Sequence, residues 1–255
     1  KDFKSIQQTK VQILNNFNNK LLHLPHIVYT IRTMENENTK TWTEEMWEES
    51  LPIYRSILEQ PFIRELADGS LSQERFSRYI AQDEIYLGNY GKQMEAFAEL
   101  LDDADEKAMF KAFAEAGMES EKAMHQLLIE RCGIDCDVQP SPVTLAYGEH
   151  SRKAIESGVK EIALAALLPC MWIYNRVGLD ILDTARKKNC LDGNPYKEWI
   201  LEYGNEEYCA GVRSVLEMAD RWAARADADT RKAMKTVYLE AARYEYDFWD
   251  YGYRG

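Results

Sequence analysis

The segment Leu168-Pro169-Cys170-Met171-Trp172-Ile173-Tyr174 sets a thiol directly after a proline inside a long apolar run. Proline removes one backbone hydrogen bond and crowds the preceding turn, so a helix that contains it bends there. Cys170 follows that bend, and Tyr174 comes one turn later on the same side. A cysteine attacks as the thiolate, and its ordinary pKa of about 8.5 means that it needs a positive charge or a base beside it. The same spacing fits a buried structural cysteine next to a tolerated bend, and that case is the commoner one.

Two carboxylates could serve such a thiol. Asp83, in Gln82-Asp83-Glu84-Ile85-Tyr86, is a poor helix former in the middle of a helical stretch, and Tyr86 shares its face. A solvated face accounts for that pattern as well. Glu245 lies in Tyr244-Glu245-Tyr246-Asp247-Phe248-Trp249, where Phe248 and Trp249 fall on its own helical face. A carboxyl among large rings has a raised pKa and suits acid/base work near neutrality, although aromatic C-terminal helices are often plain core. Among the 15 tyrosines, Tyr147 and Tyr203 sit toward the ends of helical segments. Such rings can sandwich a flat heterocycle, or simply pack. Glu121 and His125 stand four apart, with His150 the remaining histidine after residue 33. That set falls short of the paired Glu-x-x-His units of a di-iron bundle.

Positioning these groups falls to helices. From Trp42 onward the apolar spacing is helical, which predicts helices over about 43–59, 62–68, 72–101, 105–131, 141–156, 159–187, 195–203, 206–224 and 227–253. The breaks carry turn residues: Asp68-Gly69, Asp102-Asp103, Gly133, Pro140-Ser141-Pro142, Asp192-Gly193-Asn194-Pro195 and Gly204-Asn205. Ser70 with Gln73, and Ser72 just inside, offer caps for the third helix. Gly88 and Gly91 within it predict close helix packing or ligand approach. No stretch shows the alternation of a strand, so the expected fold class is all-α, a multi-helix bundle.

Residues 34–255 form the expected helical catalytic domain, with Met34 read as a natural start and residues 1–33 as an N-terminal extension. The extension carries five Lys/Arg and one acidic residue, against −12 for the whole chain. Its Phe3, Ile6, Leu14, Phe17, Leu21 and Leu24 recur at the spacing of one helix face, so a docked helix is expected there. A net charge of −12 over 255 residues argues against nucleic acid and against anionic membrane surfaces as partners. Five scattered cysteines do not read as a disulfide framework, and reduced thiols in a cytoplasm are expected. No uncharged apolar run of the roughly 18 residues needed for a membrane span stands out, nor does a secretory signal.

Taken together, Asp83-x-x-Tyr86, Leu168-Pro169-Cys170 with Tyr174, Tyr196-x-x-Trp199-Ile200 and Tyr244-Glu245-Tyr246-x-Phe248-Trp249 resemble the TenA/thiaminase II family over nearly all of residues 40–255. The resemblance implies a haem-oxygenase-like bundle, a homotetramer, and no metal or organic cofactor. It implies deamination of 4-amino-5-aminomethyl-2-methylpyrimidine in thiamin salvage, or cleavage of thiamin. By position it implies Cys170 as nucleophile, Glu245 as acid/base and Asp83 as the partner of the pyrimidine amino group. Tyr86 and Tyr147 would contact the ring, and Tyr174 and Tyr203 would hydrogen-bond near thiol and pyrimidine. The loop over 187–194 is longer than the family pattern, which bears on Tyr203. The competing readings are a non-enzymatic pyrimidine-binding or regulatory protein, and a haem or di-iron redox protein on the same bundle.

Overall fold

A computed structural model describes residues 40–255, and the expected helix within residues 1–33 lies outside the described residues. Among the described residues the chain forms nine α-helices and no strand. These are α1 (Trp42–Glu59), α2 (Pro61–Asp68), α3 (Gln73–Glu99), α4 (Ala104–Cys132), α5 (Pro142–Glu156), α6 (Lys160–Lys187), α7 (Lys197–Tyr203), α8 (Glu206–Ala223) and α9 (Ala228–Arg254). Most of the starts are set by side-chain caps: Thr41 and Glu44 form a capping box on α1, and Asp103, Ser141, Asn205 and Asp227 cap α4, α5, α8 and α9. The cap of α3 is Ser72, which accepts from the Arg75 amide, while Ser70 instead donates to Asp68. Gly69 and Gly133 end α2 and α4 in the left-handed conformation, at φ 80° and 61°, where a side chain would be strained.

The core is organised around α6, whose widest interface is with α9. Its 28 residues are apolar enough to cross a membrane by length and composition, a property not anticipated from the run itself. In the bundle 83% of that apolar window is buried, so its hydrophobicity is used against neighbouring helices. The helix runs on through Pro169. On either side of Cys170 its carbonyls take extra donors: Tyr90 donates to the Leu167 carbonyl at 2.9 Å and Tyr208 to that of Met171 at 3.1 Å.

Two contacts fix the helices that carry site residues. Gln82 of α3 accepts from the Ser141 amide (2.7 Å) and the Thr144 hydroxyl (2.8 Å), and donates to the Gln139 carbonyl (2.9 Å). That buried cluster seats the start of α5 on α3. Gly178 of α6 lies so close to α7 that a Cβ there would come within 2.6 Å of the Tyr203 Cβ. Gly91 fulfils the packing expectation, since an added Cβ would meet Met118 at 3.1 Å, but Gly88 is exposed with open space around it.

Candidate active site

Cys170 on α6, Glu245 on α9, Asp83 and Tyr86 on α3, Tyr147 on α5, Tyr174 on α6 and Tyr203 on α7 are all buried. The bundle brings them into one neighbourhood. Tyr147 donates to the Glu245 carboxylate at 2.5 Å, and its ring stands 4.9 Å from that of Tyr86. Tyr79 donates to the Tyr174 hydroxyl at 3.2 Å and accepts from the Trp199 indole at 3.3 Å. Tyr174 also packs on Tyr203 and Trp249, with ring centroids 5.0 and 4.7 Å away. Phe248 closes the group, at 5.8 Å from Tyr86 and 5.9 Å from Tyr79.

The polar atoms of this group are incompletely satisfied. The hydroxyl of Tyr86, Oε2 of Glu245 and Nε1 of Trp249 are buried without a hydrogen-bond partner, and Oδ2 of Asp83 has only the His125 ring nitrogen, at 3.3 Å. Buried polar groups in folded proteins are nearly always paired, so a cluster of orphans among flat rings marks a place shaped for a polar, planar ligand.

Burial also dominates the electrostatics. It pushes the Glu245 carboxyl up to about 8, with the Asp83 charge adding and the Tyr147 hydrogen bond opposing. Burial likewise raises the Cys170 thiol well above its ordinary value, and the charges of Glu245 and Glu121 raise it further. The resting pair is therefore a neutral thiol beside a carboxyl poised to exchange a proton near neutrality.

Glu121 and His125, whose spacing invited a metal-site reading, are in the site for other reasons. His125 is fully buried on α4, with Nδ1 2.5 Å from Oε1 of Glu84 and Nε2 3.3 Å from Oδ2 of Asp83. Burial opposes its charge, but the hydrogen bonds and charges of Asp83 and Glu84 outweigh burial and hold it up to about 10. It is a cation locked between two carboxylates. Glu121, one turn earlier, lines a small cavity with Cys170, and burial together with Asp83 pushes its carboxyl up to about 8. His150 lies apart, donating from Nε2 to the Val237 carbonyl at 2.9 Å. Among the described residues no three His, Cys, Asp or Glu side chains converge as a metal-ligand set. The sequence assigned no role to Tyr79, Tyr90 or Trp199, whose helical spacing is that of ordinary core; the bundle sets Tyr79 and Trp199 beside Tyr174, and Tyr90 on the cavity that Cys170 lines.

The bundle has a haem-oxygenase-like fold. Its fold matches a domain of that description from Shewanella denitrificans at TM-score 0.63 and 16% identity, covering 86% of this chain and 94% of the other. The chain belongs to the TENA/THI-4/PQQC family, whose pattern matches residues 47–255. An aminopyrimidine aminohydrolase of Bacillus subtilis is 30% identical over 224 residues, spanning 86% of this chain and 89% of the relative. A second, from Halalkalibacterium halodurans, is 26% identical over 212 residues, spanning 82% and 93%. The fold is also that of a TenA homologue from Pyrococcus furiosus, at TM-score 0.74 and 19% identity, covering 83% of this chain and all of the other (100%).

Proposed function

We propose that this protein is a thiamin-salvage hydrolase that converts 4-amino-5-aminomethyl-2-methylpyrimidine to its hydroxymethyl counterpart by cysteine nucleophilic catalysis. The observation that carries the reading is the set of orphaned polar atoms of Tyr86 and Glu245, with the buried Asp83 carboxylate, gathered among aromatic rings beside Cys170. The names of the relatives supply the substrate class. Asp83 accepts from the exocyclic amine of the ring, which is a donor, and the tyrosine and phenylalanine rings hold its faces.

In this mechanism the Glu245 carboxylate takes the Cys170 proton, and the sulfur adds to a ring carbon. Addition breaks the aromaticity of the ring. The displaced electron pair then expels the group on the exocyclic methylene, and the C–N bond breaks with its pair going to nitrogen. An amine that enters protonated leaves as ammonia. Water adds to the methylene and gives its proton to that ammonia. The C–S bond then breaks with its pair returning to sulfur, which recovers its proton from Glu245. Atoms and charge balance, and Glu245, the base for the thiol, is raised by burial to about 8, near neutrality. The same reading takes thiamin as a second substrate, the assembly as a homotetramer and the compartment as cytoplasmic; five cysteines in the thiol form suit a reducing compartment.

Cys170→Ala tests it. The variant should fold and bind the hydroxymethylpyrimidine, yet lose turnover by several orders of magnitude; retention of more than about a tenth of kcat, a change of only about 1.4 kcal/mol in barrier, overturns the covalent step.

A further inference from the structure

Cys170 lies near Glu245 and Tyr86, and it also lines a cavity of about 20 Å³ walled by α3, α4, α6 and α8. Tyr90, Phe113, Met118 and Tyr208 make its walls mostly apolar, and Glu121 is its one carboxylate. Glu121 is half-buried and lines this cavity with Cys170. The Tyr203 hydroxyl lies near enough to its carboxyl to ease its burial.

We propose that this cavity is the leaving-group subsite, in which Glu121 receives a small primary ammonium as the cationic arm of the substrate. The inference rests on the reaction proposed above and adds to it the place from which the amine departs. The expelled group is attached a bond or two from the ring carbon that sulfur attacks, so it must lie beside the thiol. The cavity that reaches the thiol offers a carboxylate and electron-rich ring faces, both of which attract a cation. Its volume is that of roughly one water molecule, and ammonium is of similar size. Ion pairing with the ammonium ionises Glu121 and holds the C–N bond beside the point of attack. The pair breaks as nitrogen leaves carbon as neutral ammonia, and it re-forms when the attacking water gives its proton to that ammonia.

The test separates the arm from the ring. The probes are the aminomethylpyrimidine and 4-amino-2,5-dimethylpyrimidine, which has the same ring and no leaving group. Glu121→Gln should weaken binding and kcat/KM for the aminomethyl compound about tenfold or more, the usual loss for a charge-assisted contact, and leave the dimethyl compound within about twofold. Glu121→Asp, which keeps the charge, should restore part of the loss. A second variant does not depend on the carboxylate: Gly117→Val adds a side chain on the cavity wall where nothing lies within 4 Å of the new Cβ, and should produce the same selective loss. Equal losses for both compounds, or none for the aminomethyl compound, overturn the subsite. A wild-type protein that binds both compounds and turns over neither overturns the reaction, while the binding difference still reports on Glu121.

Discussion

Cys170 and Glu245 are pushed up by the same burial, so in the free protein both tend to hold their protons. The form that starts the reaction is the thiol beside an ionised Glu245, and its share grows as pH rises toward about 8. kcat/KM of the wild type should therefore climb through neutrality and level off near that value. Glu245→Gln keeps the shape, removes the base, and should cost about 10²–10⁴-fold in rate while abolishing the rising limb. A Gln variant with near-normal rates and an intact limb would return Glu245 to a structural role. His125 works one step further back. Both its nitrogens face carboxylates, and it stays cationic across the neutral range because Asp83 and Glu84 outweigh the cost of burying it. His125→Gln would leave Asp83 buried without its cation, a loss on the order of 3 kcal/mol in stability when one partner of a buried pair is removed. Thermal melts should show that fall, and calorimetry should show weaker aminopyrimidine binding; unchanged values for both would mean that Asp83 is held by other groups.

At the scale of helices, close approach rather than chemistry sets the tolerances. Gly178→Ala would set a methyl 2.6 Å from the Tyr203 Cβ and 2.7 Å from its carbonyl carbon, so α7 has to move. Overpacking of that kind costs about 1–3 kcal/mol, and here it also displaces Tyr203 from Tyr174. Gly88→Ala, with nothing within 4 Å, should be level or stabilising by about 0.5–1 kcal/mol. Chemical denaturation of the two variants side by side checks the contrast, and equal effects would show that α6 and α7 have slack between them. This scale also divides what was legible in the sequence. The helix ends were readable because Asp103, Ser141, Asn205 and Asp227 act locally, on amides two or three residues ahead. Asp83, Cys170 and Glu245 stood out because their types conflict with the surroundings that their spacing implies. The partners of Gln82 and His125 were not legible, since those contacts join residues about 40 to 60 positions apart and depend on which helices meet. Glu121 was visible only as half of a metal-like pair. Its use depends on a cavity that four helices make together.

For the molecule as a whole, the buried acids make folding depend on pH in an unusual direction. Glu245 and Glu121 both have folded pKa values near 8, raised from 4.5, so the folded protein binds protons more tightly than the unfolded chain. Groups raised in this way contribute stability that is complete below the unfolded pKa of 4.5 and is lost as pH rises through about 8. His125, raised from 6.5 to about 10, acts in the same direction at higher pH. Exposed Glu99 and Glu149 are lowered instead, to about 2, so they have finished titrating well below this window. Each raised carboxyl contributes up to about 1.4 kcal/mol per pH unit inside its window, and coupling between the groups reduces the sum. The melting temperature should therefore fall steadily from pH 6 to pH 8.5, where proteins of ordinary surface chemistry are nearly level. Glu245→Gln and Glu121→Gln should each flatten that decline, and the double variant should flatten it most. A wild-type curve that is level or rising over this range would show that the buried acids are already ionised at neutrality, and Glu245 would then reach the thiol as a standing base.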